Sequence, residues 1–293
     1  MIGPFRTSNK VSHNALAVVT GAGSGIGAAF ATELARRGGR VVCSDINEVA
    51  AAKTASTITD SGGEAVAIPC DVTQFDEVRE LAAQSESWLG DAPTLVINNA
   101  GVGSGGAPIG ELPLDDWHWV LGINLWGPIH GCHVFAPILR SAEPSDRPRG
   151  IINVASAAAF GAAPSMAAYN VSKAGVLSLS ETLAAELSSS AVKVTVLCPT
   201  FVKTNIIEAG RIPERTTQFA NKVMRWIGLS AEKVARVCLD THDRGELYCM
   251  PQIEAKIGWN IKRLVPGTYT RGMGLVSRVA PLNSTNPTEE WRA

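Results

Sequence analysis

The sequence predicts an α/β fold: one doubly wound parallel sheet of about seven strands, with helices on both faces. Three observations predict it. Short apolar runs alternate with longer helical stretches along the chain, the pattern of strands joined by right-handed crossovers. The first run leads straight into a glycine-rich turn and then a helix. Hydrophobic residues make up 45% of the chain and charged ones only 18%, enough to cover a parallel sheet on both sides.

The elements follow in order. Residues 16–20 (Leu-Ala-Val-Val-Thr) are apolar and rich in β-branched side chains, so they read as a buried strand. Residues 21–27 (Gly-Ala-Gly-Ser-Gly-Ile-Gly) come next, then a helical pattern over 25–37. Glycines let the backbone turn tightly and approach a ligand, and a helix start offers N–H groups to a pyrophosphate. Gly21, Gly23, Ser24, Gly25, Ile26 and Gly27 are therefore cofactor-binding candidates; an ordinary turn is the alternative. The second strand, 40–44, ends at Asp45. An acid there accepts ribose hydroxyls and repels a 2′-phosphate, and no arginine immediately follows the strand, so NAD is expected over NADP. Further strands fall near 65–70, 94–98, 150–154, 193–198 and 246–250, and helices near 47–61, 74–89, 114–139, 170–189 and 230–243. Ligands in such sheets sit at the carboxyl ends of the strands.

Chemistry enters at Tyr169 and Lys173, four residues apart and just beyond Ser156. Positions i and i+4 of a helix share one face, so a phenol and an ammonium project into the same cleft. A free tyrosine, with a pKa of about 10, is a poor base at neutral pH. The adjacent cation is expected to lower that value, towards the range where the phenol trades a proton with an alcohol or ketone. Ser156 would hold the same substrate oxygen.

Together these residues resemble the short-chain dehydrogenase/reductase family over about residues 15–250. The resemblance implies a Rossmann fold with strand order 3-2-1-4-5-6-7. Asp71 and Val72 match the family's adenine contacts, and Asn98, Asn99, Ala100 and Gly101 its Asn-Asn-Ala-Gly signature, which borders the cofactor. Asn124 matches the asparagine that kinks a helix and holds a water in the family's proton relay. The resemblance makes Asn124, Ser156, Tyr169 and Lys173 the catalytic residues, with Tyr169 and Lys173 also touching the cofactor. Pro199, Val202 and Thr204 match the stretch beside the nicotinamide. Three features depart from the pattern. Ala155 and Ala159 replace a common serine and glycine; Thr200 replaces the glycine after Pro199 and cannot use a glycine-only conformation; the usual Asp-Gly-Gly tail is missing.

The implied activity is NAD-dependent interconversion of a hydrophobic secondary alcohol (steroid-like, aryl or terpenoid) with its ketone. A 3-oxoacyl thioester reductase is the enzymatic alternative, and a non-catalytic dinucleotide-sensing protein the alternative of another class. In the family, helices matching 114–139 and 170–189 form the dimer interface, so a homodimer is expected, with a tetramer possible. A lid is expected over about 200–230, where Phe201, Ile206, Ile207, Phe219, Val223, Met224, Trp226 and Ile227 suit a bulky apolar substrate or pack the lid down. Arg211, Arg215, Lys222 and Arg225 read as solvated charge. The tail, 255–293, mixes Lys256, Lys262, Arg263, Arg271 and Arg278 with Trp259, Ile261, Leu264, Val265, Met273 and Leu275. Packing on the body or a partner subunit is the reading adopted, with a pocket cover or membrane-surface contact as alternatives.

A net charge of −1 creates no field that draws nucleic acid. The six scattered cysteines lack disulfide or metal spacing, His130 and His133 lie in a predicted helix, and no metal is expected. Trp117, Trp119 and Trp126 read as core or interface anchors. Residues 1–14 lack a signal-peptide core and read as a loose extension; a cytoplasmic protein with reduced thiols is expected.

Overall fold

The computed structural model describes residues 10–141, 147–204, 210–212 and 228–279. Its elements run β1 (Leu16–Thr20), α1 (Gly25–Arg36), β2 (Arg40–Asp45), α2 (Glu48–Asp60), β3 (Glu64–Pro69), α3 (Phe75–Leu89), β4 (Leu95–Asn98), α4 (Leu114–Leu121), a π-helical turn (Gly122–Trp126), α5 (Gly127–Ser141), β5 (Arg149–Val154), α6 (Ala158–Gly161), α7 (Ala167–Glu186), β6 (Val192–Leu197), β7 (Val202–Lys203), β8 (Leu229–Ser230), α8 (Ala231–Asp243), β9 (Tyr248–Cys249), α9 (Ile253–Leu264) and α10 (Pro266–Val279).

Seven strands form one parallel sheet in the order β3-β2-β1-β4-β5-β6-β9. This is the predicted order, the seventh sheet strand being β9 because β7 and β8 pair separately. Strand residues alternate between two apolar layers. Val19, Val41 and Leu197 meet Phe30 and Leu34 of α1 and Val234 and Leu239 of α8. Val18, Val42 and Ile151 meet Leu81 of α3, Phe135 and Leu139 of α5 and Leu183 of α7. Each fully buried leucine, isoleucine or phenylalanine contributes about 1.5–3 kcal/mol, so the strand ends above these layers form a rigid platform.

The helix predicted over 114–139 is interrupted by the π turn, with Asn124 buried within it, where the resemblance implies a kink. Two details differ from expectation. The last sheet strand spans only Tyr248–Cys249. Residues 10–14, expected to be loose, are tied to the body: Ser12 is buried, and its N–H and hydroxyl donate to Asp243 at 2.9 and 2.7 Å. Arg37 joins this cluster, donating to Ser12 and to Glu33, Asp240 and Asp243. The tail folds into two helices. Trp259 of α9 packs edge-on against Phe160 with ring centroids 5.0 Å apart, and tilted against Tyr248 at 5.4 Å.

Candidate active site

The strand ends open onto a cavity of about 910 Å³. Its cofactor half is a cradle built by close approach. Gly21 adopts φ +65°, and a Cβ there would lie 2.8 Å from Ala100 Cα; a Cβ on Gly27 would lie 2.0 Å from Gly21 O. Asn99 Nδ2 donates to Thr20 O at 2.9 Å and Gly21 O at 3.2 Å, while Thr20 Oγ1 accepts from the N–H groups of Asn99 and Ala100. The turn is thus fastened to β4. Ser24 caps α1 without a side-chain capping bond, which leaves first-turn N–H groups to an anion. Asp45 at the end of β2 is fixed from both sides: Oδ2 accepts from Gly23 N–H and Oδ1 from Asn47 N–H, each at 2.9 Å. Asp71 Oδ1 accepts from Thr73 N–H at 2.9 Å, and Val72 O pairs with His130 Nδ1 at 2.9 Å. A glycine cradle at a helix start, facing a fixed carboxylate, fits a dinucleotide.

The second group comes from β5, the π turn and α7. Helix α7 buries Ala168, Ser172, Lys173 and Val176, and this stripe turns Tyr169 and Lys173 into the cavity together. Lys173 is 2% exposed; its Nζ donates to Val154 O at 3.0 Å and lies 5.8 Å from the centre of the Tyr169 ring. Ser156 lines the cavity with Tyr169; its Oγ donates to Pro199 O at 3.5 Å and accepts from Ala158 N–H at 3.1 Å. Asn124 is fully buried, with Oδ1 accepting from Val102 N–H at 2.8 Å and Nδ2 donating to Val102 O at 2.9 Å. A widened helical turn of this kind often marks a functional position.

The titration expected for Tyr169 is corrected. Burial pushes the phenol above its ordinary value, with the Ser156 hydroxyl opposing the rise. Burial also pulls Lys173 down, to about 8. Desolvation penalises both charged forms, and it outweighs the attraction that the i, i+4 spacing suggested.

Among the predicted site residues, Gly21, Ser24, Gly25, Ile26, Asp45, Asp71, Val72, Asn99, Ala100, Gly101, Ser156, Tyr169, Lys173, Pro199, Val202 and Thr204 line this one cavity. Gly23 and Asn124 stand behind it and hold Asp45 and Val102, and Gly27 leaves room for the close approach of Gly21 O. Thr200 is outside the left-handed region, and its side chain ties the turn to the tail: Oγ1 donates to Glu254 Oε1 at 2.9 Å and N–H to Gln252 Oε1 at 3.2 Å.

The substrate half holds His118, Met166 and Tyr269, which sequence reasoning missed, with Trp119, expected as a core or interface anchor, and Met273 of the mixed tail. Trp119 faces the cavity and carries the Arg211 guanidinium 4.4 Å above its ring. Arg211, expected as solvated charge, also pairs with Asp116 at 2.5 Å. Tyr269 and Met273 bring α10 over the cavity, with the Tyr269 hydroxyl donating to Gly161 O at 3.3 Å. The mixed tail pattern included Met273 and allowed a pocket cover as an alternative, but did not include Tyr269. Of the expected lid, Phe201 lines the cavity; Ile206, Ile207, Arg215, Phe219, Lys222, Val223, Met224, Arg225, Trp226 and Ile227 lie outside the described residues. Among the described residues, no three His, Cys, Asp or Glu side chains gather as a metal site requires, and all six cysteines are buried thiols.

The family model described as short chain dehydrogenase matches residues 15–214. The probable oxidoreductase EphD of Mycobacterium tuberculosis is 38% identical over 192 residues, 66% of this chain. The match spans only about a third of that relative's length, 32%. The 1-deoxy-11-beta-hydroxypentalenate dehydrogenase of Streptomyces avermitilis is 38% identical over 202 residues, 69% of this chain and 73% of the relative. The crystal structure of a short chain dehydrogenase/reductase from Burkholderia phymatum in complex with NAD aligns with a TM-score of 0.77 at 32% identity, covering 96% of this chain and 99% of that one.

Proposed function

The chain belongs to the short chain dehydrogenase family, and from that premise we propose that it is an NAD-dependent oxidoreductase interconverting a hydrophobic secondary alcohol (steroid-like, aryl or terpenoid) with its ketone. One observation carries the reading: Ser156 and Tyr169, with the Lys173 amine 5.8 Å from the phenol ring centre, line a cavity walled by Trp119, Met166, Phe201, Tyr269 and Met273. Two hydroxyls in that setting grip one substrate oxygen, while the apolar walls suit a bulky carbon skeleton. The Streptomyces relative, named for a hydroxylated pentalenate, supports the substrate class. Asp45 and the NAD complex of the Burkholderia structure support the cofactor.

Tyr169 accepts the alcohol proton in oxidation and returns it in reduction. Ser156, held by Ala158 N–H, positions the oxygen. Lys173 would hold the nicotinamide ribose. Asn124, locked to Val102, anchors the water through which the proton reaches solvent. When bound, the oxidised cofactor supplies the hydride acceptor and a positive ring charge near the phenol. The exposed Trp126 and Val171, on the π turn and α7, support pairing of two subunits through these helices.

The test is NADH formation from a panel of secondary alcohols by the wild type and Tyr169→Phe. The variant should lose about 10²–10⁴-fold in turnover while binding NAD as before. Near-normal oxidation by Tyr169→Phe sinks the proposal.

A further inference from the structure

The two tail helices sit on the segments that lead away from the reacting groups. One segment is the lid root, residues 199–201, which lines the cavity. Gln252, buried just before α9, binds it as a neighbouring strand would. Its Nε2 donates to Phe201 O at 3.0 Å, and its Oε1 accepts from Thr200 N–H at 3.2 Å. Glu254 adds the bond from the Thr200 hydroxyl. The other segment is α6, which begins two residues after Ser156. Trp259 packs there on Phe160, with the Arg263 guanidinium 3.9 Å from the Trp259 ring centre. Helix α9 is therefore a fixed base.

Helix α10 starts from that base. Pro266 opens it, a position that suits proline, and Tyr269 N–H donates to Val265 O at 3.0 Å in its first turn. Tyr269, Gly272 and Met273 are half-buried, whereas Gly267, Thr268, Thr270 and Arg271 are exposed. Spacings of three and four residues put the half-buried three on one helical face, and Tyr269 and Met273 line the cavity. The Tyr269 hydroxyl, donating to Gly161 O at 3.3 Å, latches this face to α6.

The other apolar walls have further duties. Met166 O accepts from Asn170 N–H at 2.8 Å in the first turn of the helix that carries Tyr169. Phe201 lies between Pro199 and Val202, both proposed to border the cofactor, and Trp119 carries Arg211. Helix α10 holds none of the proposed catalytic or cofactor residues, so its side chains can change volume without moving the reacting groups. We infer that α10 is the selectivity wall of the cavity, with Tyr269 and Met273 setting the bulk of the apolar skeleton that fits. The inference rests on the dehydrogenase reading for the identity of the ligand as an alcohol or ketone.

The experiment measures kcat/KM with NAD for cyclohexanol, 1-phenylethanol and a 3-hydroxysteroid. Calorimetry then gives Kd for the matching ketones in the presence of NAD, a pairing that cannot react. Tyr269→Ala and Met273→Ala should each raise the large-to-small ratio about tenfold or more, and Tyr269→Trp should lower it. Tyr269→Phe keeps the ring and should keep the ratio. Melting temperature and NAD binding should hold throughout; if Tyr269→Ala melts early, Met273→Ala decides. A wild type that oxidises no alcohol sinks the dehydrogenase reading, and the ketone ratios then test the wall without turnover. An unchanged ratio in either folded alanine variant overturns the inference. So does a parallel loss for every ligand, which would make α10 a support of the fold, or a wild type that binds none of the ketones.

Discussion

Replacing Lys173 by methionine should stabilise the cofactor-free protein at neutral pH while abolishing the proposed activity. The amine is 2% exposed and donates one hydrogen bond, to Val154 O at 3.0 Å. Burial lowers its pKa from 10.5 to about 8. At about 1.4 kcal/mol per pH unit, holding the charge inside the fold costs about 3 kcal/mol whenever the pH is below 8. Methionine removes that cost and fills a similar volume, but strands the Val154 carbonyl, a loss of about 1–2 kcal/mol. The net gain should be about 1–2 kcal/mol. The sign has a pH signature. Between pH 8 and 10.5 the folded wild type sheds this proton while the unfolded chain keeps it, so the wild type gains on the variant across that window. Urea unfolding followed by tryptophan fluorescence at pH 7 and pH 10 reads both effects. A variant less stable than wild type at pH 7, or a difference that ignores pH, would refute the assignment of Lys173 as a buried charge tolerated for function.

Three further outcomes are expected. His242 is fully buried, its Nδ1 lies 2.8 Å from Thr195 Oγ1, and its Nε2 has no partner; desolvation first, then Lys193, lowers its pKa to about 3. Its neutral form contributes stability in full above pH 6.5, and about 1.4 kcal/mol is lost per pH unit as pH falls from 6.5 towards 3. Urea midpoints between pH 7 and 5 should show this slope in the wild type, and His242→Gln should flatten it. Arg37→Met removes the guanidinium that links Glu33, Asp240, Asp243 and Ser12 but leaves Glu33 paired with Arg36 and Asp243 with Ser12, at a cost of about 1–3 kcal/mol; an unchanged melting temperature contradicts a contribution of Arg37 to this network. Asp45→Ser removes the anion at the end of β2 and should raise the NADP-to-NAD ratio of kcat/KM by about tenfold or more; an unchanged ratio argues against Asp45 as the selector.

Local patterns were enough for the fold and the cofactor half of the cavity. A parallel sheet is written in continuous apolar runs, and a glycine turn between strand and helix has few other uses, so Gly21, Ser24, Gly25, Ile26 and Asp45 line one groove. Helical spacing alone put Tyr169 and Lys173 on the same face. Spacing says nothing of the surroundings, however. Burial from β5, the π turn and α7 raises the phenol and lowers the amine, where a pair in water would shift the other way.

What the chain order could not contain was the substrate half. Trp119 comes from α4, Met166 from the start of α7, and Tyr269 and Met273 from the last helix, more than a hundred residues after Met166 in the case of Tyr269. Thr200, which reads as a damaged turn in sequence, becomes the hydroxyl that ties that turn to Glu254 of α9. Motif residues are legible because backbone geometry dictates their type. Pocket walls need only volume and apolarity, which many residues provide, so only tertiary packing decides which of them meet.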